Sequence, residues 1–314
     1  MPDKRLGLVL SGGGGKGAYQ IGVWRFLREA GIERYVSALS GTSVGALNSV
    51  LFASGNLEKA EELWLTKVHD AVLTQDEKVW ESRKSKGMKN LRMLFGGHKP
   101  LDALGNLFEE AVEVARTGIC DRKGLCSLID ESLDLSFIRS CPVNLYAACT
   151  RISGNSRAVF RLNDYGKDDV LKILMASSAI PGVFPAQRIG QEKYYDGGLS
   201  DNCPVSALEN ESCDEILVVH LKEPRGEPLV SKCGSRVTEI FPSESLGRLF
   251  SGTLDFSPSH VRSCMDLGYT DCACNRNGMG DRILELRERL SLEKTGAQNF
   301  SHSKVPLDLP QNAI

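Results

Sequence analysis

Apolar residues follow two rhythms along this chain. Short unbroken apolar runs end at glycines, and longer stretches carry an apolar residue every third or fourth position. The run over 6–10 leads straight into Ser11-Gly12-Gly13-Gly14-Gly15-Lys16-Gly17. Residues 18–30 have helical spacing, with Ile21, Trp24, Phe26 and Leu27 on one stripe and Gly31 closing the stretch. A second apolar run over 35–40 reaches Gly41-Thr42-Ser43-Val44-Gly45, and an apolar helix is expected over 46–53. Strand, glycine loop, helix, strand, tight turn, helix is the opening of a parallel βαβ sheet.

Further on, the spacing predicts helices over 56–70, 101–115, 169–178, 203–209, 261–274 and 281–290. Strands are expected over 143–150, 158–162, 193–195 and 215–221. Between helices 56–70 and 101–115, the stretch 82–101 holds Arg83, Lys84, Lys86, Lys89, Arg92 and Lys99 among Met88, Leu91, Met93, Leu94 and Phe95. A basic, apolar insert suits adsorption to an anionic bilayer, while a solvated lid or connecting helix whose apolar side is core accounts for it more simply. No internal repeat or splitting linker is visible. The chain reads as a catalytic domain over 1–221 with a helical extension over 222–314, poorly ordered from about 296.

Bulk composition narrows the class. The 314 residues are 41% hydrophobic and 25% charged with a net charge of −2, as in an ordinary globular protein. No basic footprint points to nucleic acid. The run at 6–10 is too short for a signal segment and no stretch approaches a membrane span, so a cytoplasmic protein is expected. The 10 cysteines then read as free thiols, and no Cys/His spacing suggests a metal.

Candidate chemistry starts at Ser43. A G-x-S-x-G turn between strand and helix holds its serine on a sharp bend with the hydroxyl above the sheet edge. Gly41 and Gly45 leave room for that bend, and the N–H of Val44 faces any charge developing beside Ser43. The glycine loop is not a P-loop, because Gly17 stands where Ser or Thr must bind magnesium and Leu10 where the first glycine belongs. Gly12-x-Gly14-x-x-Gly17 fits a dinucleotide fingerprint formally, but Ser40-Gly41-Thr42-Ser43 replaces the acid that must end the second strand. An oxyanion hole fits best, with bare N–H groups of Gly13, Gly14 or Gly15 aimed at a developing alkoxide.

A serine needs a base. His69, His98, His220, His260 and His302 are available, and a triad through His220 or His260 is one solution. The other is a dyad with Asp196, which follows the strand at 193–195 and precedes Gly197-Gly198. A carboxylate serves there only in a dry site and at a fixed position, for which the apolar loop over 180–185 is suited.

Together the motifs resemble the patatin-like phospholipase family. Its G-x-G-x-[KR]-G is matched by Gly12-Gly13-Gly14-Gly15-Lys16-Gly17, its G-x-S-x-G by Gly41 to Gly45, and its D-G-[GA] by Asp196-Gly197-Gly198. Ala176-Ser177-Ser178-Ala179-Ile180-Pro181 and Phe184-Pro185 are also similar, and the likeness spans about residues 6–221. It implies a three-layer α/β/α sandwich around a mainly parallel sheet, a Ser43–Asp196 dyad, and hydrolysis of phospholipid or lysophospholipid acyl esters without metal or cofactor. The oxyanion would be held around Gly12, Gly13, Gly14, Gly15 and Val44. Rival readings are a gated or idle signalling module on the same fold, and a dinucleotide-binding oxidoreductase. Gly252-Thr253-Leu254-Asp255-Phe256 has no role assigned by this reading.

Overall fold

The computed structural model describes residues 4–72, 122–181, 184–224 and 227–292. The insert 82–101, the helix expected over 101–115, His98, His302 and the tail from 296 lie outside the described residues.

Three strands that read as unbroken or nearly unbroken apolar runs sit in the middle of the sheet. They are β1 (Leu6–Leu10), β2 (Val36–Thr42) and β7 (Glu215–Val219). Both faces of a central parallel strand are covered, so a continuous apolar run is what such a strand requires. They share the sheet with β3 (Asn144–Arg151), β4 (Ser156–Arg161), β5 (Gln187–Ile189), β6 (Glu192–Asp196) and β8 (Arg236–Ile240). The order is β5-β6-β3-β2-β1-β7-β8, with β4 also paired to β3. Strands β3, β2, β1, β7 and β8 are parallel to one another, while β4 and β6 run antiparallel to β3.

The helices are α1 (Ala18–Glu29), α2 (Val44–Ala53), α3 (Leu57–Glu62), α4 (Val68–Val72), α5 (Arg122–Ser132), α6 (Lys167–Ser177), α7 (Pro258–Ala273) and α8 (Met279–Ser291). A π turn over Leu63–Lys67 joins α3 to α4. Leu6, Leu8, Leu10, Leu39, Leu217 and Val219 point into one core with these helices. Val9, Ala38, Ile216 and Val218 alternate with them and meet a thinner cover, Val205 and Leu208. The period-two pattern of the strands thus serves both faces. A mainly parallel sheet with flanking helices is what the family likeness implies, and among the described residues the flanking is uneven.

Some elements depart from the sequence reading: α5 and β5 fall where no element is expected, the helix expected over 203–209 is only a short 3-10 turn over Val205–Leu208, and β8 lies beyond the expected sheet. The pattern ends the sheet at 221, whereas β8 extends it in parallel beyond β7. Only Ile240 of β8 is fully buried, so this edge strand carries little apolar signal. Helix α8 is tied back to the sheet by Arg289, whose Nε and Nη2 reach the two carboxylate oxygens of Glu215 at 2.8 and 3.1 Å.

Candidate active site

The carboxyl ends of β1 and β2 deliver the glycine loop and Ser43 to one edge of the sheet. That edge is where open α/β sheets place their sites. Ser43 has φ 56° and ψ −125°, a conformation that costs an L-residue energy and has to be imposed by its neighbours. Gly45 permits it: a β-carbon there would stand 2.0 Å from the carbonyl oxygen of Leu10. The Ser43 N–H donates to Ser177 Oγ at 2.9 Å, and that hydroxyl donates to the Ala148 carbonyl at 2.7 Å. Strand β3 and helix α6 therefore hold the bend from the side. The N–H groups of Val44 and Gly45 open α2 and have no recorded acceptor among the described residues. A helix start of this kind favours negative charge.

Asp196 ends β6 beside Cys149 of β3. Its N–H donates to the Ala179 carbonyl at 2.9 Å, and its own carbonyl accepts from Thr150 Oγ1 at 2.9 Å. Backbone and side chain are thus fixed from three directions, because Oδ1 also accepts the Gly198 N–H at 2.8 Å. Oδ2 is buried and has no hydrogen-bond partner among the described residues. Burial raises the carboxyl pKa to about 6, against the opposing pull of the Ser43 hydroxyl and the Gly198 N–H. The hydroxyl is therefore in range to favour the anion, although it does not complete a hydrogen bond to Oδ2. Ser43 and Asp196 are 5% and 6% exposed, so both sit at the floor of the site.

The glycine loop meets this pair from the β1 side. The Gly12 N–H donates to the Asn202 carbonyl at 3.3 Å, and Asn202 Nδ2 returns to the Gly12 carbonyl at 3.4 Å. Gly14 has φ +58°, and a β-carbon there would lie 2.0 Å from the Thr253 carbonyl oxygen. Among the described residues the N–H groups of Gly13, Gly14 and Gly15 have no recorded acceptor. Below the loop a buried polar chain anchors it. Gln20 Nε2 donates to the Ser11 carbonyl, Asn48 Nδ2 donates to Gln20 Oε1 and the Gly17 carbonyl, and Trp64 Nε1 donates to Asn48 Oδ1.

Over Ser43 opens a cleft. Gly14, Ser43 and Val44 stand at one end, and the walls are apolar, including Leu47, Leu51, Leu63, Val68, Ile129 and Leu133. A cleft lined in this way suits a hydrocarbon chain.

Of the residues singled out from sequence, Ser43, Val44, Gly14 and Asp196 come together. Gly12 packs under the bend, and Gly13 faces Leu221. Gly15 backs onto the Gly252 and Asp255 carbonyls, Gly17 onto Val44, Gly41 onto Gly45, and Gly197 and Gly198 onto Ala148 and Asn202. Lys16 faces a separate polar recess shared with Lys222, and burial followed by the charge of Lys222 lowers its pKa. His220 pairs with Glu239 and Cys203, and His260 with Cys264. No described histidine makes a recorded hydrogen bond to Ser43 or Asp196. The sequence reading missed Asn202, Ser177, α5 and the wall formed by Thr253, Leu254 and Phe256. The first two lie inside or just beyond quoted motifs, while the others carry no local signal.

Sheet order, strand-to-helix serine and glycine loop define an α/β protein with a mainly parallel sheet and flanking helices. The chain belongs to the patatin-like phospholipase family, whose model matches residues 8–209. An uncharacterised NTE family protein of Mycobacterium tuberculosis is 25% identical over 219 residues, covering 70% of this chain and 30% of the relative. The neuropathy target esterase sws of Drosophila melanogaster is 24% identical over 218 residues, covering 68% of this chain and 13% of that protein. This chain thus spans less than a third of the length of these relatives. The crystal structure of VipD from Legionella pneumophila matches with a TM-score of 0.53 at 16% identity, covering 91% of this chain and 67% of that one. That likeness is one of fold.

Proposed function

We propose that this chain is a serine acyl hydrolase that cleaves an acyl ester of a phospholipid or lysophospholipid through Ser43 and Asp196. The observation that carries this reading is the unpaired, buried Oδ2 of Asp196 next to Ser43, which itself lines an apolar cleft. Ser43 Oγ attacks the ester carbonyl carbon while Asp196 Oδ2 takes the hydroxyl proton. The oxyanion accepts hydrogen bonds from N–H groups of the glycine loop around Gly14 and from Val44. Collapse breaks the ester C–O bond, and the alcohol leaves with the proton from Asp196. Water then attacks the acyl-serine and gives its proton to Asp196. The second collapse releases the carboxylic acid and restores the serine hydroxyl.

A fatty acyl chain supplies the binding energy, at about 0.8 kcal/mol for each methylene buried in the cleft. The basic, apolar stretch 82–101 supplies peripheral contact with an anionic bilayer. Replacing Lys84, Lys86, Lys89 and Arg92 by Ala is expected to weaken binding to anionic liposomes, and unchanged binding would remove this part of the proposal.

The test of the chemistry has two readouts. Mixed liposomes incubated with the protein are expected to release fatty acid, identified by mass spectrometry, and a p-nitrophenyl ester should release p-nitrophenol. Ser43→Ala and Asp196→Asn should each abolish both. Robust turnover by folded Asp196→Asn would return the base to a histidine. Failure of a fluorophosphonate to label Ser43 would favour a gated or idle site on this fold.

A further inference from the structure

Behind the glycine loop lies a constellation that ester hydrolysis does not use. His220, one residue past β7, puts Nε2 2.7 Å from Glu239 Oε2 on β8. Its Nδ1 stands 3.5 Å from Cys203 Sγ. The other oxygen of Glu239, Oε1, accepts the Leu229 N–H at 2.8 Å. Glu239 is thereby oriented by backbone, and it orients the imidazole in turn.

The hydrogen bonds assign the tautomer. A carboxylate accepting at Nε2 requires the proton there, which leaves the Nδ1 lone pair facing the thiol. His220 is 6% exposed and Cys203 half-buried. Burial lowers the His220 pKa, opposed by Glu239 and reinforced by Lys222. Burial pushes the Cys203 thiol up to about 12, with Asp201 and Glu239 acting in the same direction and Lys222 against them. The resting pair is thiol and neutral imidazole, the same division of labour as in a serine–histidine pair.

Cys203 also occupies a sensitive place in the chain. Its neighbour Asn202 clamps Gly12 through both backbone and side chain. On its other side the Pro204 carbonyl accepts from Ser40 Oγ at 2.9 Å. Val219 and Leu221, flanking His220, hold Ser11 through its N–H and its hydroxyl. Bulk added to Cys203 therefore bears on the two residues that begin the glycine loop.

We propose that Cys203, His220 and Glu239 form a second, thiol-centred site at which a hydroperoxide oxidises Cys203, and that this modification turns down the hydrolase by displacing the glycine loop. His220 Nδ1 takes the thiol proton as the sulfur attacks one peroxide oxygen. The S–O bond forms and the O–O bond breaks. The departing oxygen takes a proton from the imidazolium and leaves as water or an alcohol. Cysteine is oxidised to the sulfenic acid and the peroxide is reduced. The regulatory half rests on the Ser43 hydrolase reading, and the oxidation does not.

The experiment uses the full chain carrying Cys233→Ser, which removes an exposed thiol whose pKa is lowered by the Ser231 and Ser235 hydroxyls. Hydrogen peroxide is added, sulfenic acid is trapped with dimedone, and the sites are mapped by mass spectrometry. Trapping at Cys203 is expected, at a rate flat from about pH 7 to pH 9 because it follows the imidazole and not the thiol. Glu239→Gln should slow it while leaving the other cysteines unaffected. Ester hydrolysis should fall by about 10²-fold or more as Cys203 is modified, as on losing one oxyanion donor. Cys203→Ser should keep its activity through the same treatment. Absence of dimedone at Cys203, or a rate climbing steadily to pH 9, would overturn the site. Equal inactivation of Cys203→Ser would overturn the regulation alone, and a protein inactive before peroxide but trapped at Cys203 would refute the hydrolase reading instead.

Discussion

Two carboxylates at the same edge of the sheet, Asp196 buried and Glu239 partly buried, are treated in opposite ways. Glu239 has both oxygens committed, one to His220 and one to the Leu229 N–H. Asp196 has one oxygen committed to Gly198 and one left without a recorded partner. A satisfied carboxylate ties β8 to β7 and to the chain beyond. An unsatisfied one is costly to ionise in a dry site, and that cost is what raises its basicity. The difference separates a group that holds the fold from the group that takes a proton in the proposed mechanism.

The largest expected effect comes from removing that proton acceptor. Asp196→Asn should lower kcat for ester hydrolysis by about 10³-fold or more with the fold intact, measured by p-nitrophenol release alongside circular dichroism. A second large effect is expected at Gly14. Gly14→Ala would drive a methyl into the Thr253 carbonyl, shift the loop, and cost on the order of 10²-fold in kcat.

The pH profile sharpens the contrast. Asp196 must be ionised to act as base and titrates at about 6, so kcat/KM should climb through pH 6 and level off above it. Stability should run the other way for this group. Its folded pKa lies above the ordinary 3.8, so the folded state takes up the proton first, and acidification from about 6 towards 4 adds stability.

The same carboxylate-to-amide change should therefore have opposite signs at the two positions. At pH 8, Asp196→Asn is expected to raise the melting temperature by relieving a buried unpaired charge. Glu239→Gln cannot accept at both of its contacts, and should lower stability by about 1.5–3 kcal/mol in urea titrations. Two shifts of like sign would break the comparison. The smallest effect concerns the cleft. Ile129→Trp should move chain-length preference towards shorter p-nitrophenyl esters, by about fourfold in kcat/KM for each methylene no longer accommodated.

How far the sequence reads depends on how local each feature is. The bend at Ser43 is legible because Gly41, Ser43 and Gly45 are adjacent, and sterics at such a turn allow few other residues. Strands β1 and β7 are legible because burial on both faces demands apolar residues throughout. Strand β8 is not, since an edge strand with one fully buried residue alternates too weakly. The role of Thr253 and Leu254 is invisible for another reason. They meet Gly14 and the cleft only after α7 has packed on α1, and nothing in their own composition anticipates that contact.

Sequence alone determined the identities and order of the candidate site motifs, because each encodes a short-range steric or conformational demand. The tertiary structure decided which oxygen of Asp196 lies unpaired, that His220 serves Cys203 and Glu239 rather than Ser43, and that the cleft is walled by α5 and the 253–256 segment. Those are outcomes of long-range packing and of the exclusion of water. Burial and hydrogen-bond partnership belong to the assembled set of elements, and no single stretch of chain carries them.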